Sequence, residues 1–70
     1  MTQTAADRVR TLLLRADNVL KNEGDQGDRA RRARMALEEA RDVARDPHVD
    51  ERVRELIERR LAALEAGGPG

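Results

Sequence analysis

The side chains able to do chemistry in this sequence are few. Histidine occurs once, at His48, with Asp46, Asp50 and Glu51 close by. One imidazole among carboxylates at a helix start is a poor set for a transition metal. Acids at that place also follow directly from the positive end of a helix dipole. His48 therefore reads as a solvated side chain, with no metal and no cofactor. Carboxylate pairs, Glu38 with Glu39 and Glu55 with Glu58, could suggest acid–base work. Both pairs sit among arginines at helical spacing. Arg54 with Glu58 and Glu55 with Arg59 are i,i+4 partners, so surface ion pairing at about 0.2–0.5 kcal/mol each accounts for them. Nucleophiles are scarcer still. The chain has no Cys and no Ser, which leaves Thr2, Thr4 and Thr11. No strand-to-helix phosphate loop exists, and Gly24 and Gly27 belong to a helix connector. The expectation is a protein that is not an enzyme.

The densest basic cluster is Arg29, Arg31, Arg32 and Arg34. Cations near a helix N-terminus are mildly unfavourable, which marks the cluster as a candidate docking site for an acidic partner. As a charge run it also reads as a solvated face. Two features argue against nucleic acid. The formal charge is zero, with 14 basic against 14 acidic residues, and no aromatic side chain is available to stack on a base.

The elements that must carry these residues follow from length and periodicity. Seventy residues allow one small domain. Its apolar residues are 11 Ala, 8 Leu, 5 Val, 1 Ile and 2 Met, so any core is thin and, without Cys, has no disulfide to support it. Charge-rich composition favours disorder, but zero net charge and strict apolar periodicity point to folded helices. Thr4 can cap a first helix, with Asp7 three residues on. Ala5, Val9, Leu12, Leu13, Ala16, Val19 and Leu20 then share one side. Gly24 ends it, within the loop that spans residues 23–28. Asp28 is the expected cap of a second helix, whose inner face is Ala30, Ala33, Leu37, Ala40 and Ala44. Asp46 and Pro47 open a third, as cap and first helical residue. Its stripe is Val49, Val53, Leu56, Ile57, Leu61 and Leu64, and Leu56→Ala is expected to cost about 2–5 kcal/mol. The prediction is an all-α, antiparallel three-helix bundle over residues 4–66, with helices near 4–23, 28–45 and 47–66. Residues 1–3 and 67–70 read as disordered ends.

Two apolar residues break the pattern. Leu14 lies about 150° from the centre of its stripe, and Met35 falls on the polar side of the second helix. Both are candidate partner contacts, since exposed Met suits adaptable surfaces; singly exposed apolar residues are also ordinary. Arg60 is the converse case, a charge inside the third stripe, expected to pack its stem and send its head to water. No apolar run approaches the ~20 residues needed to span a bilayer. The N-terminal residues lack the basic start and apolar stretch of a secretory signal, so the expected location is the cytoplasm.

The segment Ala36-Leu37-Glu38-Glu39-Ala40, followed by Val53-Arg54-Glu55-Leu56, resembles the C-terminal helical lid of seventy-kilodalton heat-shock chaperones. Leu13-Leu14 and the Glu23-Gly24-Asp25 turn are similar too, with a shorter loop here. The resemblance spans about residues 12–64 and implies a bundle that caps a peptide-binding cleft within a larger chaperone. It carries over no catalytic or ligand-binding residue. The same turn, the Ala-rich helix and Asp46-Pro47 also look like part of a tetratricopeptide repeat, although the alanines are one residue out of register with the proline. The functional expectation is a helical protein–protein interaction module with a protein partner, either lid-like or a free-standing adaptor that binds a helix or associates with itself. A nucleic-acid-binding domain using residues 29–34 is the remaining alternative.

Overall fold

The computed structural model describes residues 3–21 and 24–66; the expectations for residues 1, 2, 22, 23 and 67–70, among them the end of the first helix at 23, lie outside that range. Three helices follow in order: α1 (Ala5–Lys21), α2 (Gln26–Val43) and α3 (Glu51–Ala66). The fold is an all-α bundle, with α1 and α3 both packed on α2.

Helix α1 starts where the sequence indicates. The Thr4 hydroxyl accepts from the N–H of Asp7 at 3.1 Å, and the Thr4 carbonyl accepts the first helical bond, from Arg8, at 3.0 Å. One otherwise orphaned N–H is thereby satisfied. The helix is described to Lys21, and Gly24 beyond it has φ +145°, a backbone conformation that side-chain-bearing residues rarely adopt.

Helix α2 begins earlier than expected. Asp25, not Asp28, holds the N-cap position, with φ −64° and ψ 122° and no bond from its side chain to the helix end. Its carbonyl accepts from the Arg29 N–H at 3.0 Å. The helix admits Gly27 because a single glycine costs only about 1 kcal/mol. Asp28 then falls in the first turn, where a carboxylate is favoured, and pairs with Arg32 at 3.1 Å.

The connection between α2 and α3 differs most from expectation. Pro47 does not open α3. The Asp46 carboxylate accepts the N–H of His48 at 2.8 Å, and its carbonyl accepts the N–H of Val49 at 3.0 Å. This local turn competes with a helix start at residue 47. The helix starts at Glu51, after Asp50, whose Oδ1 accepts the Arg52 N–H at 2.9 Å. Val49, expected on the third helix, is buried within the connection.

Side-chain links fix the helix directions. The Leu20 carbonyl of α1 accepts from Arg29 of α2, while Arg8, Thr11 and Arg15 share a shallow cleft with Glu39. The start of α1 thus meets the later part of α2. Arg41 bonds Glu58, and Arg34 shares a cleft with Leu61 and Glu65, so α3 runs back along α2. Both neighbours of α2 are antiparallel to it.

The core joins one large residue from each helix, Val9, Leu37 and Ile57, with Leu12, Leu61 and Val49 around them. Ala33, Ala36 and Ala40 complete it from α2, and Ala44 from the C-cap just beyond. Small residues let two helices approach α2 closely, so the volume must come from the flanking aliphatics. Two residues expected in the stripes depart from them: Leu20 is 42% and Leu56 37% exposed. The reason is that α1 and α3 make the slightest of the three helix–helix contacts, so the sides they turn to each other stay partly open. Arg60 does not simply send its head to water. It pairs with Asp17 across this gap.

Candidate interaction surface

The chemistry-bearing residues are dispersed. Among the described residues, no polar or charged side chain is fully buried, and no group of three or more His, Asp or Glu residues could hold a metal ion. Strongly perturbed acids and bases need desolvation or a charged partner in a cleft. The nearest case is Asp46 with His48, whose Nδ1 lies 2.9 Å from Asp46 Oδ1. The His48 backbone N–H above all, then its ring, then the charges of His48 and Arg54 hold the Asp46 carboxyl below the ordinary value of 3.8. A lowered folded-state value means that this contribution to stability is complete above the unfolded value and is lost as pH falls through the folded one. Thermal melts between pH 5 and pH 2 are therefore expected to show a shallower acid decline for Asp46→Asn, which keeps an acceptor for the turn but cannot titrate. An unchanged decline would remove Asp46 from the acid response.

The residues singled out in the basic cluster are not gathered into one patch. The Arg29 guanidinium donates to the Leu20 carbonyl at 3.3 Å, at the negative end of α1. This position ties α2 to α1. Arg32 is held by Asp28. Arg31 is exposed on the outer side, and Arg34 stands over the α2–α3 cleft with Glu38, Arg41, Glu58 and Glu65. Carboxylates thus accompany much of the cluster, and no continuous basic face forms there.

Leu14 and Met35 are exposed at 56% and 65%. Each stands about 150° or more from the buried stripe of its own helix, by the 100° helical step. These outward directions diverge around the bundle, so the two residues do not form a single anchor.

A different surface emerges between α1 and α3. Leu13, Asp17 and Leu20 share one side of α1 at i, i+4, i+7 spacing. Val53, Leu56, Arg60 and Leu64 share one side of α3 in the same way. The Arg60–Asp17 pair shows that these two sides face each other. Leu13, Val53 and Leu64 are partly buried against the core, while Leu20 and Leu56 are exposed. The result is an aliphatic seam, open toward solvent and bridged by one ion pair. Periodicity misses it because Leu20 and Leu56 obey the stripe pattern; only the slight α1–α3 contact leaves them uncovered.

Arg54 was also hidden in the sequence, where it reads as a surface partner of Glu58. Its guanidinium donates to the carbonyls of Ala44 at 2.7 Å, Val49 at 3.0 Å and Asp46 at 3.2 Å. It fastens the end of α2 and the connection to the first turn of α3. Beside it a cleft of about 410 Å³ is lined by Arg41, Ala44, Arg45, Arg54, Ile57 and Glu58. Its charged groups already have partners: Arg41 pairs with Glu58, Arg45 lies 3.8 Å from Asp42, and Arg54 is taken up by backbone carbonyls.

No helix among the described residues is long and apolar enough to cross a membrane. No protein-family model, curated protein or solved structure matches this chain.

Proposed function

We propose that this chain is a non-enzymatic helical module for protein–protein contact, acting in the cytoplasm. One observation carries the reading. A chain with only 14 large aliphatic residues of the Leu, Val and Ile types leaves Leu20 and Leu56 uncovered along one seam. Contiguous exposed apolar surface marks interaction sites more often than scattered residues do. The partner is another protein or a further domain of the same one. In the second form, the bundle is the lid-like end piece of a chaperone, which the resemblance of residues 36–40 and 53–56 suggests.

Site-specific cross-linking tests the reading. A photo-reactive amino acid at position 56, introduced in the cells that make the protein, is expected to give a discrete protein adduct. The same group at position 31, on the outer side of α2, is expected to give none. Leu20→Ser, with the photo-reactive group kept at position 56, should weaken the adduct while keeping the helical signal of the folded chain. A seam that yields no adduct, or one no different from position 31, would defeat the proposal.

A further inference from the structure

Asp46 and Pro47 form the only peptide bond of this sequence that joins a carboxylate-bearing residue to a proline nitrogen. A side-chain carboxylate can close a five-membered ring onto its own main-chain carbonyl carbon, and attack within one molecule has the advantage of proximity. Proline contributes a tertiary amide, whose nitrogen is more basic than that of an ordinary peptide and departs more readily. The fold acts on the same bond. The Asp46 carbonyl oxygen accepts twice, from the Val49 N–H at 3.0 Å and from Nη2 of the Arg54 guanidinium at 3.2 Å. Donors aimed at a carbonyl oxygen stabilise the negative charge that forms there on attack. The Asp46 side chain is held through Oδ1 by the His48 N–H at 2.8 Å, which leaves Oδ2 without a hydrogen bond among the described residues. Its lowered carboxyl, facing the charges of His48 and Arg54, keeps the nucleophile ionised as pH falls. Pro47 and His48 are exposed, so water reaches the bond.

We infer that the folded chain promotes hydrolysis of its own Asp46–Pro47 bond, with the Asp46 carboxylate as nucleophile and Arg54 with the Val49 N–H as the oxyanion site. Oδ2 gives an electron pair to the Asp46 carbonyl carbon, and the carbonyl electrons move onto the oxygen held by Arg54 and Val49. They return as the carbon–nitrogen bond breaks. That bond's electron pair leaves on the Pro47 nitrogen, which takes a proton from solvent. Asp46 then carries a cyclic anhydride, and one water molecule opens it to two carboxyl groups. The sum is peptide plus water to acid plus amine, with nothing oxidised or reduced. The products are residues 1–46, which hold α1 and α2, and residues 47–70, which hold α3. The cut is a single event in the chain's own backbone. It goes beyond the interaction-module reading and does not depend on it.

The test holds the full chain at pH 5 and 37 °C in water enriched in oxygen-18 and follows intact mass over days. Cleavage is expected at least about tenfold faster in the folded chain than in the same chain unfolded by urea at that pH, since unfolding removes the Arg54 and Val49 donors. Oxygen-18 should enter both the main-chain and the side-chain carboxyl of Asp46, because water opens an anhydride at either carbon. Arg54→Met should slow the cut at least about tenfold. That variant is also less stable, so it is compared with Leu37→Ala, which keeps Arg54, each rate being divided by the folded fraction read from ellipticity. An unfolded chain that cuts as fast as the folded one, or faster, overturns the proposal, because the bond is then labile by its type alone. Label confined to the main-chain carboxyl overturns it too, because water or a protease has then attacked directly. Equal rates for Arg54→Met and Leu37→Ala per folded molecule overturn the part given to Arg54. A chain that stays whole in both states overturns the whole inference and leaves the module reading intact.

Discussion

Leu37→Ala is expected to remove about half of this chain's stability at 25 °C. Leu37 is 1% exposed and is the only large aliphatic that α2 contributes to the fully buried core. Its neighbours along α2 are Ala33, Ala36 and Ala40, which cannot move into the void because they lie on the same rigid helix. The substitution therefore carries both the lost transfer energy and the cavity, about 2–5 kcal/mol. A domain of 70 residues has a total stability of only roughly 4–10 kcal/mol at about 0.05–0.15 kcal/mol per residue. The melting midpoint should fall by roughly 8–40 °C, at about 4–8 °C per kcal/mol for a domain of this size. The helical ellipticity at 222 nm during heating checks it. Leu56→Ala, at a position 37% exposed, is the companion measurement. It should cost no more than about 1 kcal/mol, since much of that side chain never leaves water. If the two substitutions cost the same, α3 is rotated from the orientation seen here, and the seam is closed.

That comparison also shows what could be read from the sequence and what could not. Three helices, their order and the alanine-lined face of α2 were legible because a 3.6-residue period of apolar residues has few other interpretations. The Thr4 cap was legible for the same local reason. The starts of α2 and α3 were not. Asp25 and Asp28 are equally good caps by type, and the choice depends on whether Gly27 can be carried inside the helix. Asp46-Pro47 has the composition of a helix start, yet the Asp46 carboxylate takes the His48 N–H and moves the start four residues on. Such side-chain-to-backbone competition is decided by a few tenths of a kcal/mol and leaves no periodic trace. The seam was illegible for another reason. A stripe says which residues seek cover, but not how closely α1 and α3 approach each other. The relation of Asp17 to Arg60, 43 residues apart, belongs to tertiary geometry alone. The residues singled out by pattern-breaking, Leu14 and Met35, were correctly placed on the outside, yet they do not meet.

The second large effect belongs to Arg54. A cation in the first turn of a helix is unfavourable by the dipole of its own helix. The structure resolves this conflict through reach: the guanidinium leaves α3 and sits at the negative end of α2, where the Ala44, Asp46 and Val49 carbonyls accept from it. Bonds to a charged group contribute about 1.5–3 kcal/mol each when buried. Arg54 is only half-buried, so water can reach the carbonyls once it is gone, and the three bonds do not add. Arg54→Met, which keeps an apolar stem against the chain, is expected to cost about 2–3 kcal/mol. Arg54→Lys should recover less than half of that, because one ammonium cannot present the planar fork that serves three acceptors. Amide exchange locates the effect. The Val49 and Asp46 amides, which bond within the connection, should lose protection before the middle of α1 does. Loss spread evenly over all three helices would mean that Arg54 supports the bundle as a whole. A cost below about 0.5 kcal/mol, the range of an ordinary surface substitution, would mean that the connection is held by its own turns. The fork would then be a consequence of the α2–α3 packing and not one of its causes.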